Sequence, residues 1–120
     1  MPAERVGLVI EDDLDFRSLV SAVVGSVGVS VRSVATGAAG VDAAREYKPD
    51  IVVLDFGLPD LNGLEVALRI REFSDVPILV LTGRTDVAES MLAAGVDDFM
   101  TKPFRVRELR ERVLAILGTT

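Results

Sequence analysis

Short apolar runs alternate along this chain with longer stretches in which apolar side chains recur every three to four residues. Residues 5–10 (RVGLVI), 51–54 (IVVL) and 77–81 (PILVL) are almost continuously apolar. Residues 30–34 (SVRSV) alternate, and residues 96–101 (VDDFMT) form a shorter, more polar run. These five segments predict β-strands. The first, third and fourth are apolar at nearly every position, which predicts strands covered on both faces, as in the middle of a parallel sheet. Between them lie helical patterns. Residues 14–24 carry Phe16, Leu19, Val20, Val23 and Val24; residues 38–47 carry Val41, Ala44 and Tyr47; residues 64–73 carry Leu64, Ala67, Leu68 and Phe73. A fourth helix is predicted over residues 85–94, with Thr85 as its N-cap and Gly95 just past its end. The fifth spans residues 104–117, with Val106, Leu109, Val113, Leu114 and Leu117 along one side and Gly118 beyond.

Five strand-then-helix units imply an α/β fold with right-handed crossovers. No Gly/Ser-rich linker, repeat or low-complexity segment interrupts the 120 residues, so one domain over 1–120 is expected. Ligands of such folds sit beyond the carboxyl ends of the strands. The residues at those ends are Glu11-Asp12-Asp13, Asp55, Thr82 and Lys102-Pro103. Residues far apart in sequence therefore converge on one edge of the sheet.

Composition narrows what they can do. The chain has no histidine and no cysteine. That excludes histidine acid/base catalysis, Ser-His triads, cysteine nucleophiles, disulfides, iron–sulfur clusters and zinc sites built on His or Cys. Nineteen acidic against thirteen basic residues give a net charge of −6, unlike a nucleic-acid or membrane-surface binder. No apolar run approaches the roughly 20 residues of a membrane span. The N-terminus lacks a secretory pattern, and a cytoplasmic location is expected.

The chemistry open to the convergent set is specific. Clustered carboxylates repel one another unless a cation lies among them, and hard oxygen donors with water access suit Mg²⁺. Asp55 at a strand tip is a candidate nucleophile for an aspartyl phosphate. Lys102 would neutralise phosphoryl oxygens, Thr82 would hydrogen-bond one, and Gly83 leaves the approach clear. Each residue also has an ordinary reading: an acidic run as a helix cap, Asp55 as a turn residue, Thr82 as a strand-end hydroxyl. Lys102 stands apart, because the chain has only two lysines, Lys48 and Lys102, against eleven arginines. A compact point charge at a site otherwise served by guanidinium is a chemical choice.

These residues resemble the receiver domain of bacterial two-component response regulators. The matching pieces are LVIEDD (8–13), IVVLDFGLPDLNGLEV (51–66), PILVLTG (77–83) and AGVDDFMTKPF (94–104), in order and across essentially the whole chain. The resemblance implies a flavodoxin-like (βα)5 sandwich with parallel strand order 2-1-3-4-5. It makes Asp55 the phosphoacceptor, Asp12 a direct Mg²⁺ ligand, Glu11 an outer acidic partner and the Gly57 carbonyl a third metal ligand. An Asp12/Asp13 register of the acidic pair remains open. Thr82 and Lys102 match the phosphate-contacting pair, and Thr82 and Phe99 the switch residues. Phe99 stands where the family more often has tyrosine.

The implied partner is a sensor histidine kinase that supplies the phosphoryl group. The implied consequence is a change of the α4–β5–α5 face, with a phosphorylation-dependent homodimer using Asp97 and Asp98 against Arg110 and Arg112. A DNA-binding effector domain would lie outside this chain, and the domain itself touches neither nucleic acid nor membrane. Two departures stand out. The 19 residues between Thr82 and Lys102 are about two fewer than the family pattern, and Gly57 is small while Arg84 is large and cationic. Gly57 and Arg84 are expected to set how water reaches the acyl phosphate. A phosphorylation-independent interaction module and an aspartate-nucleophile phosphatase are the rival readings. The phosphatase would want a second aspartate where Gly57 stands.

Overall fold

The computed structural model describes residues 4–118. Its elements run β1 (Val6–Ile10), α1 (Leu14–Gly25), β2 (Ser30–Val34), α2 (Gly37–Tyr47), β3 (Ile51–Asp55), α3 (Gly63–Arg71), β4 (Ile78–Thr82), α4 (Ala88–Ala93), β5 (Asp98–Thr101) and α5 (Val106–Leu117). The five strands form one parallel sheet in the order β2-β1-β3-β4-β5. This is the flavodoxin-like architecture and strand order that the family resemblance implied.

Alternation along the strands builds two core layers. Leu8, Ile10, Val52, Leu54, Ile78 and Val80 point to one face, where Ala43, Ala44, Val66, Ala67, Ile70 and Met91 of α2, α3 and α4 cover them. Val9, Ile51, Val53, Leu79 and Leu81 point to the other, under Val20, Val23 and Val24 of α1 and Leu109 and Val113 of α5. β3 and β4 are buried at every position, which is why their sequences are continuous apolar runs rather than alternating ones.

The helix starts follow local chemistry. Asp13, Thr36 and Asn62 cap α1, α2 and α3 by accepting from the backbone N–H groups of Phe16, Ala39 and Glu65. α4 departs from expectation. It is six residues long, and Val87 rather than Thr85 precedes it, with no side-chain cap bond. Thr85 lies in the loop ahead of the helix, next to the exposed Arg84–Asp86 ion pair at 2.7 Å. Gly95, at φ +83°, ends α4 as expected. β5 is also shorter than its apolar run: Val96 belongs to the turn after α4, where its N–H donates to the Met91 carbonyl at 3.0 Å. The Lys102–Pro103 peptide is cis.

Candidate functional site

Strand register assembles the site. Ile10 lies beside Leu54, Asp55 beside Leu81, and Thr82 beside Thr101. Glu11, Asp55, Thr82 and Lys102 therefore leave the sheet along the same carboxyl edge. Asp55 is 7% exposed and Thr82 1%. Lys102 Nζ donates to Asp55 Oδ1 at 2.6 Å and lies 4.0 Å from Glu11 Oε1.

Glu11, Asp12 and Asp55 each offer a carboxylate oxygen, and these oxygens lie within 4.8 Å of one another. Glu11 and Asp55 are buried and Asp12 is exposed, so the cluster opens to water on one side. The acidic run is thereby divided by role. Asp13 turns away to cap α1, accepting from the Phe16 N–H at 2.8 Å, while its own N–H donates to Glu11 Oε2 at 3.3 Å.

The electrostatics record the crowding. Burial, a hydrogen bond shared with the Asp12 carboxyl and repulsion from Asp55 push the Glu11 carboxyl up to about 7; the Asp13 N–H and the Lys102 ammonium pull against them. Three oxygen donors whose mutual repulsion one lysine only partly offsets fit a hard divalent cation.

A cleft of about 380 Å³ lies beside the carboxylates, lined by Asp55, Phe56, Gly57, Thr82, Gly83, Arg84 and Lys102. Gly83 lines this cleft, and a Cβ there would project into open space with nothing within 4 Å. Arg84 forms the rim. Its guanidinium is 5.6 Å from the centre of the Phe56 ring and pairs with Asp86 through two hydrogen bonds. The Thr82 hydroxyl accepts from the Arg84 N–H at 3.0 Å. Gly57 bridges to Asn62 across the β3–α3 loop.

Within the single chain, the residues expected on the α4–β5–α5 face make the following contacts. Asp98 does meet Arg112, at 2.8 Å, but within the chain. Asp97 faces no α5 arginine: its carboxylate accepts from Arg71 Nη2 and from the Ile78 N–H, both at 2.8 Å. Arg110 donates to Ser26 Oγ at 3.2 Å. The reason is register: β5 starts at Asp98, which leaves Asp97 in the turn beside the end of α3. Phe99 is half-buried and packs against the α2–α3–α4 core layer. Phe16 and Asp86 carried no site signal in the sequence. Phe16 reads as an ordinary apolar position of α1, yet its ring lies 4.6 Å from the Lys102 ammonium.

A parallel five-stranded sheet with an acidic cluster, a buried aspartate and a lysine at one carboxyl edge defines a phosphoacceptor type of signalling domain. The chain belongs to the response regulator receiver domain family, whose model matches residues 8–114. It is 38% identical over 112 residues to the DNA-binding response regulator MtrA of Mycolicibacterium paratuberculosis, a match covering 92% of this chain and 50% of that protein. The chain thus spans about half the length of the curated relatives it matches. The receiver domain of a Pseudomonas aeruginosa sensor histidine kinase, solved with a magnesium ion coordinated in its active-site cleft, superposes with a TM-score of 0.86 at 30% identity, covering 98% of this chain and 100% of that one. A CheY-like receiver protein of Methanospirillum hungatei shares the fold with a TM-score of 0.91 at 22% identity, over 97% of this chain and 95% of that one. Among the described residues, no helix is long and apolar enough to cross a membrane.

Proposed function

We propose that Asp55 is the phosphoacceptor of this receiver domain and that a histidine kinase is its donor. The observation that carries this reading is the placement of Asp55: a buried carboxylate at a central strand tip, 2.6 Å from the Lys102 ammonium and clustered with two other carboxylates. An Asp55 oxygen attacks the phosphorus of a phosphohistidine, the P–N bond breaks, and its electron pair returns to the imidazole nitrogen of the partner. The histidine that this chain lacks is supplied by the kinase.

Glu11, Asp12 and Asp55, with the Gly57 carbonyl, would hold Mg²⁺, which supplies charge neutralisation at the phosphoryl oxygens. Lys102 stabilises the negative charge that collects on those oxygens during transfer. The Thr82 hydroxyl donates to one of them, its oxygen remaining free to accept from the Arg84 N–H. The product replaces the Asp55 carboxylate by an acyl phosphate carrying up to about −2, a net gain of about one negative charge at the strand tip. Thr82 moves toward it, Phe99 follows inward, and the population shifts between two packings of the α4–β5–α5 face. That face would serve association, with the Asp98–Arg112 pair exchanging from an internal to an intersubunit contact. The controlled output, a DNA-binding domain elsewhere in a longer regulator, and a cytoplasmic location follow from the same reading.

The experiment is incubation with Mg²⁺ and acetyl phosphate, read by intact mass. Wild type is expected to gain one phosphoryl group and Asp55→Asn none. A wild type that stays unmodified, and is also blind to beryllofluoride, overturns the reading in favour of a phosphorylation-independent interaction module.

A further inference from the structure

Lys102 is held on two sides, and only one of them is acidic. Its ammonium hydrogen-bonds Asp55 Oδ1 at 2.6 Å and sits 4.6 Å from the centre of the Phe16 ring. The lysine side chain is 33% exposed, and beyond Asp55 its acidic contact is Glu11 at 4.0 Å, so without the ring its flexible four-carbon stem would leave the ammonium open to solvent on the side the ring covers. An aromatic face attracts a cation through its quadrupole at this separation. It does so without consuming a hydrogen bond and without adding charge to a cluster already crowded with carboxylates.

Phe16 is itself fixed. Its backbone N–H is bound by the Asp13 carboxylate at 2.8 Å, which places it in the first turn of α1. Its ring packs against Phe104, with centroids 6.0 Å apart and planes tilted by 54°. Phe104 follows Lys102 by two residues, so the aromatic pair ties the loop carrying the lysine to α1.

We infer that Phe16 is a positioning residue for phosphoryl transfer: its ring holds the Lys102 ammonium beside Asp55, where the phosphoryl charge will gather. This rests on Asp55 being the acceptor. Phe16 touches no reacting atom and acts through Lys102. The electrostatic consequence is preorganisation, since an ammonium already in place needs no reorientation as charge develops.

Two lysines in the chain make the test direct. In lysine-labelled protein, the Lys102 ε-methylene signals are expected to be displaced by the Phe16 ring current, with the Lys48 signals as internal reference. Phe16→Leu and Phe16→Met should both move the Lys102 signals toward those of Lys48 and slow phosphorylation by acetyl phosphate roughly three- to tenfold. Phe16→Tyr keeps a ring face and should retain both the displaced signals and a rate within about twofold of wild type. Unmoved Lys102 signals in the ring-less variants, an unchanged rate, or a tyrosine variant as slow as the leucine one would each overturn the inference. Failure of the acceptor reading is distinguishable: wild type would then take no phosphoryl group, while the lysine signals still report whether the ring holds the ammonium.

Discussion

Glu11 carries opposing demands. It is buried, yet it must be an anion to serve a cation. Its carboxyl, near 4.5 when unfolded and up to about 7 in the fold, binds a proton more tightly in the native state. The stability this confers is fully present below the unfolded value and is lost as pH rises through about 7. Metal-free protein should therefore soften between weakly acidic and weakly alkaline pH. Glu11→Gln should flatten that fall and raise the melting temperature at about pH 8, by roughly 4 °C or more for each kcal/mol regained. Mg²⁺ competes with the same proton, so its affinity should rise with pH up to and just above 7 in wild type; calorimetric titration at several pH values reads both slope and plateau. Arg84 belongs to this scale too. Its rim position, held by Asp86, leads us to expect that Arg84→Ala changes the dephosphorylation rate of the loaded domain; an unchanged decay would remove it from water control. The carboxylates, Thr82 and Lys102 were legible in the sequence because strand tips collect at one edge. Phe16 and Asp86 were not, because a ring over an ammonium and a rim ion pair depend on side-chain direction in three dimensions.

Among the elements, α4 and α2 differ most from what propensity alone dictates. α4 has six residues, no side-chain cap and one buried residue, Met91. Its amides should be the least protected of the five helices in hydrogen exchange; protection equal to that of α3 would contradict this. α2 is rich in small residues for a steric reason. A Cβ on Gly40 would run into the Ile10 side chain, and one on Gly37 would sit 2.8 Å from Val66 and 3.0 Å from Leu61. Helix propensity favours Gly40→Ala by up to about 1 kcal/mol, while overpacking costs about 1–3 kcal/mol. Overpacking should win, and denaturant titration should show a net loss. The Asp60 carboxylate adds a second tie, accepting from the Gly37 and Ala38 N–H groups at 2.8 and 2.9 Å. Those two bonds hold its carboxyl below the usual carboxylate range. Strand and helix existence was legible from periodicity. The α4 boundary was not, because Thr85 has good cap chemistry but lies in the loop ahead of a helix that starts at Ala88.

At the scale of the whole molecule, β5 connects the site to the α4–β5–α5 face, since Lys102 of the site directly follows it. Ligand at the strand tips should therefore stabilise the domain globally. With Mg²⁺ and beryllofluoride at 100 times their dissociation constant, linkage gives about 2.7 kcal/mol, or a rise on the order of 10 °C in melting temperature. Asp55→Asn should lose most of that rise. If the face associates, sedimentation should show a mass increase on beryllofluoride addition, reduced by Arg112→Glu; an unchanged mass argues against association. Asp97 is better placed for a structural role, since Arg71 bonds it and also donates to the carbonyls of Gly95 and Ser74.

The order of apolar runs and helical periods by itself determined a five-unit α/β sheet, because burial on one or both faces dictates side-chain spacing. It also placed the chemistry at the carboxyl edge, because parallel strands deliver their last residues to one side. Tertiary structure alone decided which acids join the cluster and which caps a helix, since Asp12 and Asp13 are adjacent in sequence but diverge as the chain turns into α1. It likewise decided the partners of Asp97, Asp98 and Arg110. Ion pairing depends on where whole elements pack, and charge along the chain carries no record of that.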